Sequence, residues 1–104
     1  MNQQAMLRKV RQMQQEMLKT QEEISNSDFS ASAGGVVTVT LKGTKELVKI
    51  EVSEDFEVES KEDFEMLSDM IVAACHNCYQ QIDKTTEEKM SKYQAMLGGM
   101  GSLF

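Results

Sequence analysis

Apolar residues open the chain at alternating steps of four and three: Met6, Val10, Met13, Met17 and Ile24, with Thr20 the one polar member of the series. Such spacing lays one stripe along a helix. It predicts a helix over about residues 4–24, widened by Leu7 and Leu18. The other positions are mostly Gln, Glu, Lys and Arg, which favour helix. Three heptads give a rod of roughly 30 Å, too short to be stable without a partner surface. Ser25, Asn26, Ser27 and Asp28 read as its end.

The period then changes to two. Phe29, Ala31 and Ala33 alternate with Ser30, Ser32 and Gly34, Val37, Val39 and Leu41 with Thr38, Thr40 and Lys42, and Val48, Ile50 and Val52 with Lys49 and Glu51. Strands are expected at about 29–34, 36–42 and 47–52, joined by turns at Gly34-Gly35 and Gly43-Thr44-Lys45. Consecutive short connections imply an antiparallel meander with one apolar face under a helix.

From Ser60 the helical period returns. Ser60 and Asp63 form a capping-box variant. Phe64, Leu67, Ile71, Ala74, Cys78 and Ile82 make the stripe, with Met70 and Cys75 beside it and Met90, Tyr93 and Leu97 continuing it more sparsely. The helix is expected over about residues 61–97, with a break near Asp83 as the alternative, a stop at Gly98-Gly99 and a flexible tail over 98–104. At roughly 50 Å it outruns the small sheet, so its far half should project or pair with another chain. The fold class is therefore α+β: a helix, a three-stranded antiparallel sheet and a long helix in one domain, 1–104.

Composition adds self-association. A chain of 104 residues buries a modest core, and a second copy could cover what it leaves exposed. Nine Met residues, with no Pro and no Trp, suit adaptable helix seams. Met6, Val10, Met13, Met17, Val37, Val39, Leu41, Ile50, Val52, Ile71 and Cys78 are the candidate core and dimer residues. The N-terminus lacks the continuous apolar run of an export signal, and the longest apolar stretch, Met70–Cys75, is too short for a bilayer. The cytoplasm follows by default, with both cysteines reduced.

The formal charge of −6 hides an uneven distribution. Residues 1–24 carry Arg8, Lys9, Arg11 and Lys19 against three acids, a net of +1. Residues 25–82 carry four Lys and eleven acids, a net of −7, and residues 83–104 balance Lys84, Lys89 and Lys92 against three acids. An acidic middle argues against a protein that coats nucleic acid along its whole surface. The basic clusters at the two ends leave local contact open, although no aromatic residues accompany Arg8, Lys9 and Arg11.

Catalytic chemistry finds no foothold. Cys75-His76-Asn77-Cys78 has the spacing of a redox or metal pair. It lies deep in a helix rather than at a helix N-terminus, and one His with two Cys falls short of a zinc set. Small buried helix residues are the simpler reading. No nucleophile–base pair forms around His76, and no phosphate loop with its Lys is present. The reading is a non-enzyme with no metal and no cofactor.

Three stretches together resemble the YbaB/EbfC family of bacterial nucleoid-associated proteins. They are the Met- and Gln-rich opening with Val10-Arg11-Gln12-Met13-Gln14-Gln15-Glu16-Met17, the run Ser32-Ala33-Gly34-Gly35-Val36-Val37-Thr38-Val39-Thr40-Leu41-Lys42-Gly43, and Leu67, Asp69, Ala73, Ala74 and Asn77 followed by Glu88-Lys89-Met90. The resemblance covers nearly the whole chain. It implies a homodimer whose sheets meet in a central body and whose helices protrude like tweezers, binding duplex DNA in the nucleoid. Carried over by position, it implies phosphate contacts from Arg8, Lys9, Arg11 and Lys19 on the first helix and from Lys84, Lys89 and Lys92 on the last, giving affinity without strong base reading. The alternative is an adaptor dimer that uses its exposed Met-rich helices to bind a protein partner, with weak or no DNA binding.

Overall fold

The computed structural model describes residues 2–101. Helix α1 spans Gln3–Asn26, strands β1, β2 and β3 span Asp28–Ala33, Val37–Lys42 and Leu47–Val52, and helix α2 spans Lys61–Gly101. The sheet is an antiparallel meander in the order β1-β2-β3. Asn2 caps α1, its side-chain oxygen accepting from the Ala5 amide at 2.8 Å.

Two turns fix the sheet. Gly34 and Gly35 both have positive φ, 60° and 68°, and the Val36 amide closes the turn on the Ala33 carbonyl at 3.2 Å. Ala33 pairs with Val37 across this three-residue connection, and glycine takes such φ values without steric cost. At the second turn Lys45 takes φ 73°, rare for a residue with a Cβ. Its ammonium lies 3.0 Å from Asp83 on α2 and over the Tyr79 ring at 5.7 Å. Both contacts hold the turn against the helix.

One face of the sheet is dry. Ala31, Val37, Val39 and Leu41 are buried under Ala74, Cys78 and Ile82 of α2, with Leu67, Met70, Ile71 and Cys75 packed around them. The opposite face is polar. Ser30 and Thr40 hydroxyls lie 2.9 Å apart, those of Ser32 and Thr38 2.8 Å apart, and Lys49 pairs with Glu51 at 2.9 Å. These cross-strand polar pairs account for the Ser and Thr alternation.

The third strand departs from expectation. Ile50 and Val52 are registered against Val39 and Val37, so they share the apolar face, yet they are 39% and 43% exposed. The reason is the path of α2, which packs on β1 and β2. Every residue of β3 is exposed. Within one chain, Ile50 and Val52 are therefore not core residues.

α2 begins with a capping box. The Ser60 hydroxyl accepts from the Asp63 amide at 3.3 Å, and the Asp63 carboxylate accepts from the Ser60 and Glu59 amides at 3.1 and 2.9 Å. The helix is unbroken at Asp83 and passes Gly98-Gly99 to Gly101, beyond the stop expected at that glycine pair. Of the expected tail, residues 102–104 lie outside the described residues. The far half of α2 finds its partner within the chain. α1 lies alongside, and Met13, Ile24, Met90 and Tyr93 form a second core flanked by Met17. Leu7 and Leu18, expected to widen the α1 stripe, face solvent at 57% and 61% exposure.

Candidate nucleic-acid interface

The two helices build an arm. The C-terminus of α1 is anchored at the sheet, where Gly43 donates its amide to the Ser27 carbonyl at 3.0 Å. At the other end, Met96 of α2 meets Lys9, Gln12, Met13 and Glu16 of α1. The N-terminal half of α1 and the C-terminal part of α2 therefore lie together, away from the sheet. The molecule measures 72 × 22 × 15 Å. The stripe spacing of α1 makes this possible. Met13 and Ile24 are buried and Met6, Val10 and Met17 half-buried, so one side of α1 faces α2 and the other is left for charge.

Folding sharpens the charge pattern. Residues 1–15 hold Arg8, Lys9 and Arg11, residues 89–104 hold Lys89 and Lys92, and neither stretch contains an Asp or Glu. The far part of the arm thus brings these five cations together, with Glu16 in the hollow it shares with Lys9 and Met96. The 17 acidic residues and the six other basic ones fall within residues 16–88, and most of them belong to the near part of the arm and the sheet body. An anion approaching the molecule meets attraction at one end and repulsion at the other.

The seven cations chosen from the sequence are exposed but not gathered at one point. Arg8 and Arg11, three residues apart, line a shallow surface groove with Gln4 and Leu7. Lys9 lies on the flank next to Met96. Lys92 stands over the Tyr93 ring at 4.9 Å, which fixes its stem at the helix seam. Lys84 is separate. It lines a hollow with Ala31, Ser32, Asn77, Gln80 and Gln81 at the body, beside the β1 edge. Among the described residues the ion pairs are Lys45–Asp83 and Lys49–Glu51, and neither uses one of the seven. Gln4 escaped the sequence reading, although its spacing of four and seven residues from Arg8 and Arg11 places it on their face.

The thiols have structural surroundings. Cys78 is buried, its Sγ donating to the Phe29 carbonyl at 3.2 Å. Burial pushes its pKa above the ordinary thiol value, so it is a protonated thiol rather than a nucleophile. Cys75 is half-buried at the edge of the same core. Among the described residues, no three His, Cys, Asp or Glu side chains come together as a metal site, and no helix is long and apolar enough to cross a membrane.

Residues 1–98 match the YbaB/EbfC DNA-binding family. A nucleoid-associated protein of Clostridium novyi is 39% identical over 101 residues, covering 96% of this chain and 84% of the relative. One from Agathobacter rectalis is 37% identical over 95 residues, 90% of this chain and 82% of the relative. Among solved structures, an uncharacterized protein from Helicobacter pylori superposes with a TM-score of 0.67 at 18% identity, covering 88% of this chain and 96% of that one. The last likeness shows the shared helix–sheet–helix fold.

Proposed function

The chain belongs to the YbaB/EbfC DNA-binding family, and from that premise we propose that it is a non-catalytic homodimer that grips duplex DNA with the ends of its arms. The observation that carries this reading is the basic excess of the far arm: Arg8, Lys9, Arg11, Lys89 and Lys92, with Glu16 the acidic residue that shares the hollow of Lys9 and Met96. These side chains contact phosphates, with Arg8 and Arg11 acting from one face and Gln4 adding a neutral donor. Lys19 and Lys84, nearer the sheet and its acidic surroundings, contribute less. The acidic body keeps DNA from lying along the sheet and directs it to the tips. A second copy is favoured by the bare apolar face of β3, since a patch of this kind is normally covered. The cytoplasmic nucleoid is the matching location.

The test is equilibrium binding to a labelled duplex of about 30 base pairs across a salt series. If Arg8, Lys9 and Arg11 of both protomers each neutralise a phosphate, log K falls against log salt with a slope of about −5. Reversing the three to Glu abolishes saturable binding, whereas Lys84→Glu changes it little. A complex insensitive to salt, or one lost equally with Lys84→Glu, contradicts the assignment.

A second reading has one observation behind it. Leu7, Leu18 and Met96 are exposed along the arm, and a protein segment docking there would cover them. It predicts that the triple reversal leaves partner binding intact.

A further inference from the structure

A groove runs between the β1–β2 turn and the first turns of α2, on the sheet body. Its floor is Met70 and Ala73, with Ala33 and Gly34 along one side. The turn closes tightly on this floor, since a Cβ at Gly34 would come within 2.7 Å of the Met70 sulfur. The α2 side is Glu62, Glu65, Met66 and Asp69. Met66 is exposed, the apolar centre of a face whose other three members are carboxylates. None of the three takes part in an ion pair among the described residues.

The tip of the arm carries the complement. Gln4, Leu7, Arg8 and Arg11 line one face of α1, and all four are exposed. Both sets recur at steps of three, one and three, which is one face of a helix over two turns. Run antiparallel, the two faces match at every step. Arg11 comes opposite Glu62, Arg8 opposite Glu65, Leu7 opposite Met66 and Gln4 opposite Asp69. Run parallel, Leu7 would face Glu65 and Arg8 would face Met66, setting charge against apolar surface. A chain cannot make this contact with itself. Met96, beside Lys9 and Met13 at the tip, lies thirty residues along α2 from Met66, roughly 45 Å away.

We infer that the tip of one molecule docks in the groove of another, its α1 lying antiparallel to the first turns of the other's α2. An amphipathic helix face laid in a groove is a common mode of recognition, and here the charges of helix and groove are opposite. The two patches differ, so the contact is head to tail and does not close on itself as a twofold interface does. Homodimers with two tips and two grooves each are thereby linked into larger assemblies. Arg8 and Arg11 are also the residues assigned above to phosphates. A docked tip cannot hold DNA, so duplex and groove compete for it. This competition, unlike the contact itself, rests on the DNA reading.

The test is sedimentation velocity of the full-length protein at about 20 mM and about 300 mM salt, where exposed ion pairs are respectively weakly and strongly screened. Wild type should form species larger than the dimer at low salt and return to the dimer at high salt. The variants R8E/R11E and E62K/E65K should each assemble about tenfold more weakly, because two ion pairs are inverted. An equimolar mixture should assemble as wild type does, since the acidic tips of the first then meet the basic grooves of the second. Recovery also shows that both variants are folded. Leu7→Ala leaves the charge unchanged and should weaken assembly about fivefold. No effect there would reduce the contact to unspecific attraction between oppositely charged ends and overturn the docking. Excess duplex should release single dimers from the assemblies, and E62K/E65K should still bind duplex through its intact tips. Wild type that never exceeds a dimer at low salt overturns the contact, whatever its DNA affinity. Assembly without any duplex binding upholds the contact and overturns the competition together with the DNA reading.

Discussion

The hydroxyl groups of Thr20 on α1 and Tyr93 on α2 lie 3.1 Å apart, 73 residues distant in the chain. Tyr93 is buried with Met13, Ile24 and Met90, and its hydroxyl would be costly to bury alone. Thr20, the polar lapse in the stripe of α1, supplies the partner. Tyr93→Phe should cost about 1 kcal/mol, since it removes one hydrogen bond and leaves the Thr20 hydroxyl without its partner. Adding Thr20→Val should recover part of that loss. Urea unfolding of the two single variants and the double measures the coupling, and strictly additive losses would contradict it.

Gly43 is where the second hairpin touches the end of α1. A Cβ there would run into the backbone carbonyl of Ile24, and neither backbone can yield as a side chain would. Gly43→Ala should therefore destabilise by about 1–3 kcal/mol, the range for overpacking. Gly35→Ala meets open space and should cost about 1 kcal/mol from its positive φ alone. Thermal melts of the two variants should rank them in that order.

Asp63 gives the capping box a pH dependence. The Glu59 amide, the largest influence, holds its pKa below the ordinary value of 3.8; desolvation, the next largest, opposes it, and the Ser60 amide and hydroxyl add smaller lowering effects. A folded-state pKa below the unfolded one favours folding when the group is ionised. That contribution is present above pH 3.8 and is lost as pH falls through the lower folded value. The melting temperature should fall over that window, and Asp63→Asn, which cannot ionise, should flatten this part of the profile.

The two thiols should separate under a water-soluble maleimide. Burial raises the pKa of Cys78 and restricts access to it. One equivalent, at Cys75, should react in the native protein, and the second only at the rate of unfolding or opening. Equal rates at both positions would contradict the packing described.

Much of this was legible because the two periodicities are strong. The α1 stripe from Met6 to Ile24, the alternation of Val37, Val39 and Leu41, and the Ser60–Asp63 cap are local patterns, and local geometry carried them into the structure. Contacts between distant segments were not legible in the same way. Thr20 reads as a defect until Tyr93 is placed beside it. The alternation of Ile50 and Val52 says that a strand has an apolar face, not whether α2 reaches that far. Averaging charge along the sequence also concealed the far arm. Glu16, Glu22 and Glu23 dilute the first 24 residues, and Asp83, Glu87 and Glu88 dilute the last 22, while the fold sets the N-terminal half of α1 beside the C-terminal part of α2. The resemblance groups Lys84 with Lys89 and Lys92 as members of the last helix, but the structure sets Lys84 beside the sheet.

The continuity of α2 from the sheet to the end of the arm makes it a lever. From Ile82, the last residue of α2 buried with the sheet, to Gly101 it extends roughly 29 Å. A tilt of about 10° at the sheet would move the tip by about 5 Å, more than the roughly 3.4 Å of axial rise per nucleotide along one DNA strand. Small repacking of Ala74, Cys78 and Ile82 against β1 and β2 is thereby magnified at the tip, and on the proposed DNA contact it would amount to a shift of register. In the homodimer proposed above, the calliper span between the two arms would be set by these core side chains, far from the tips.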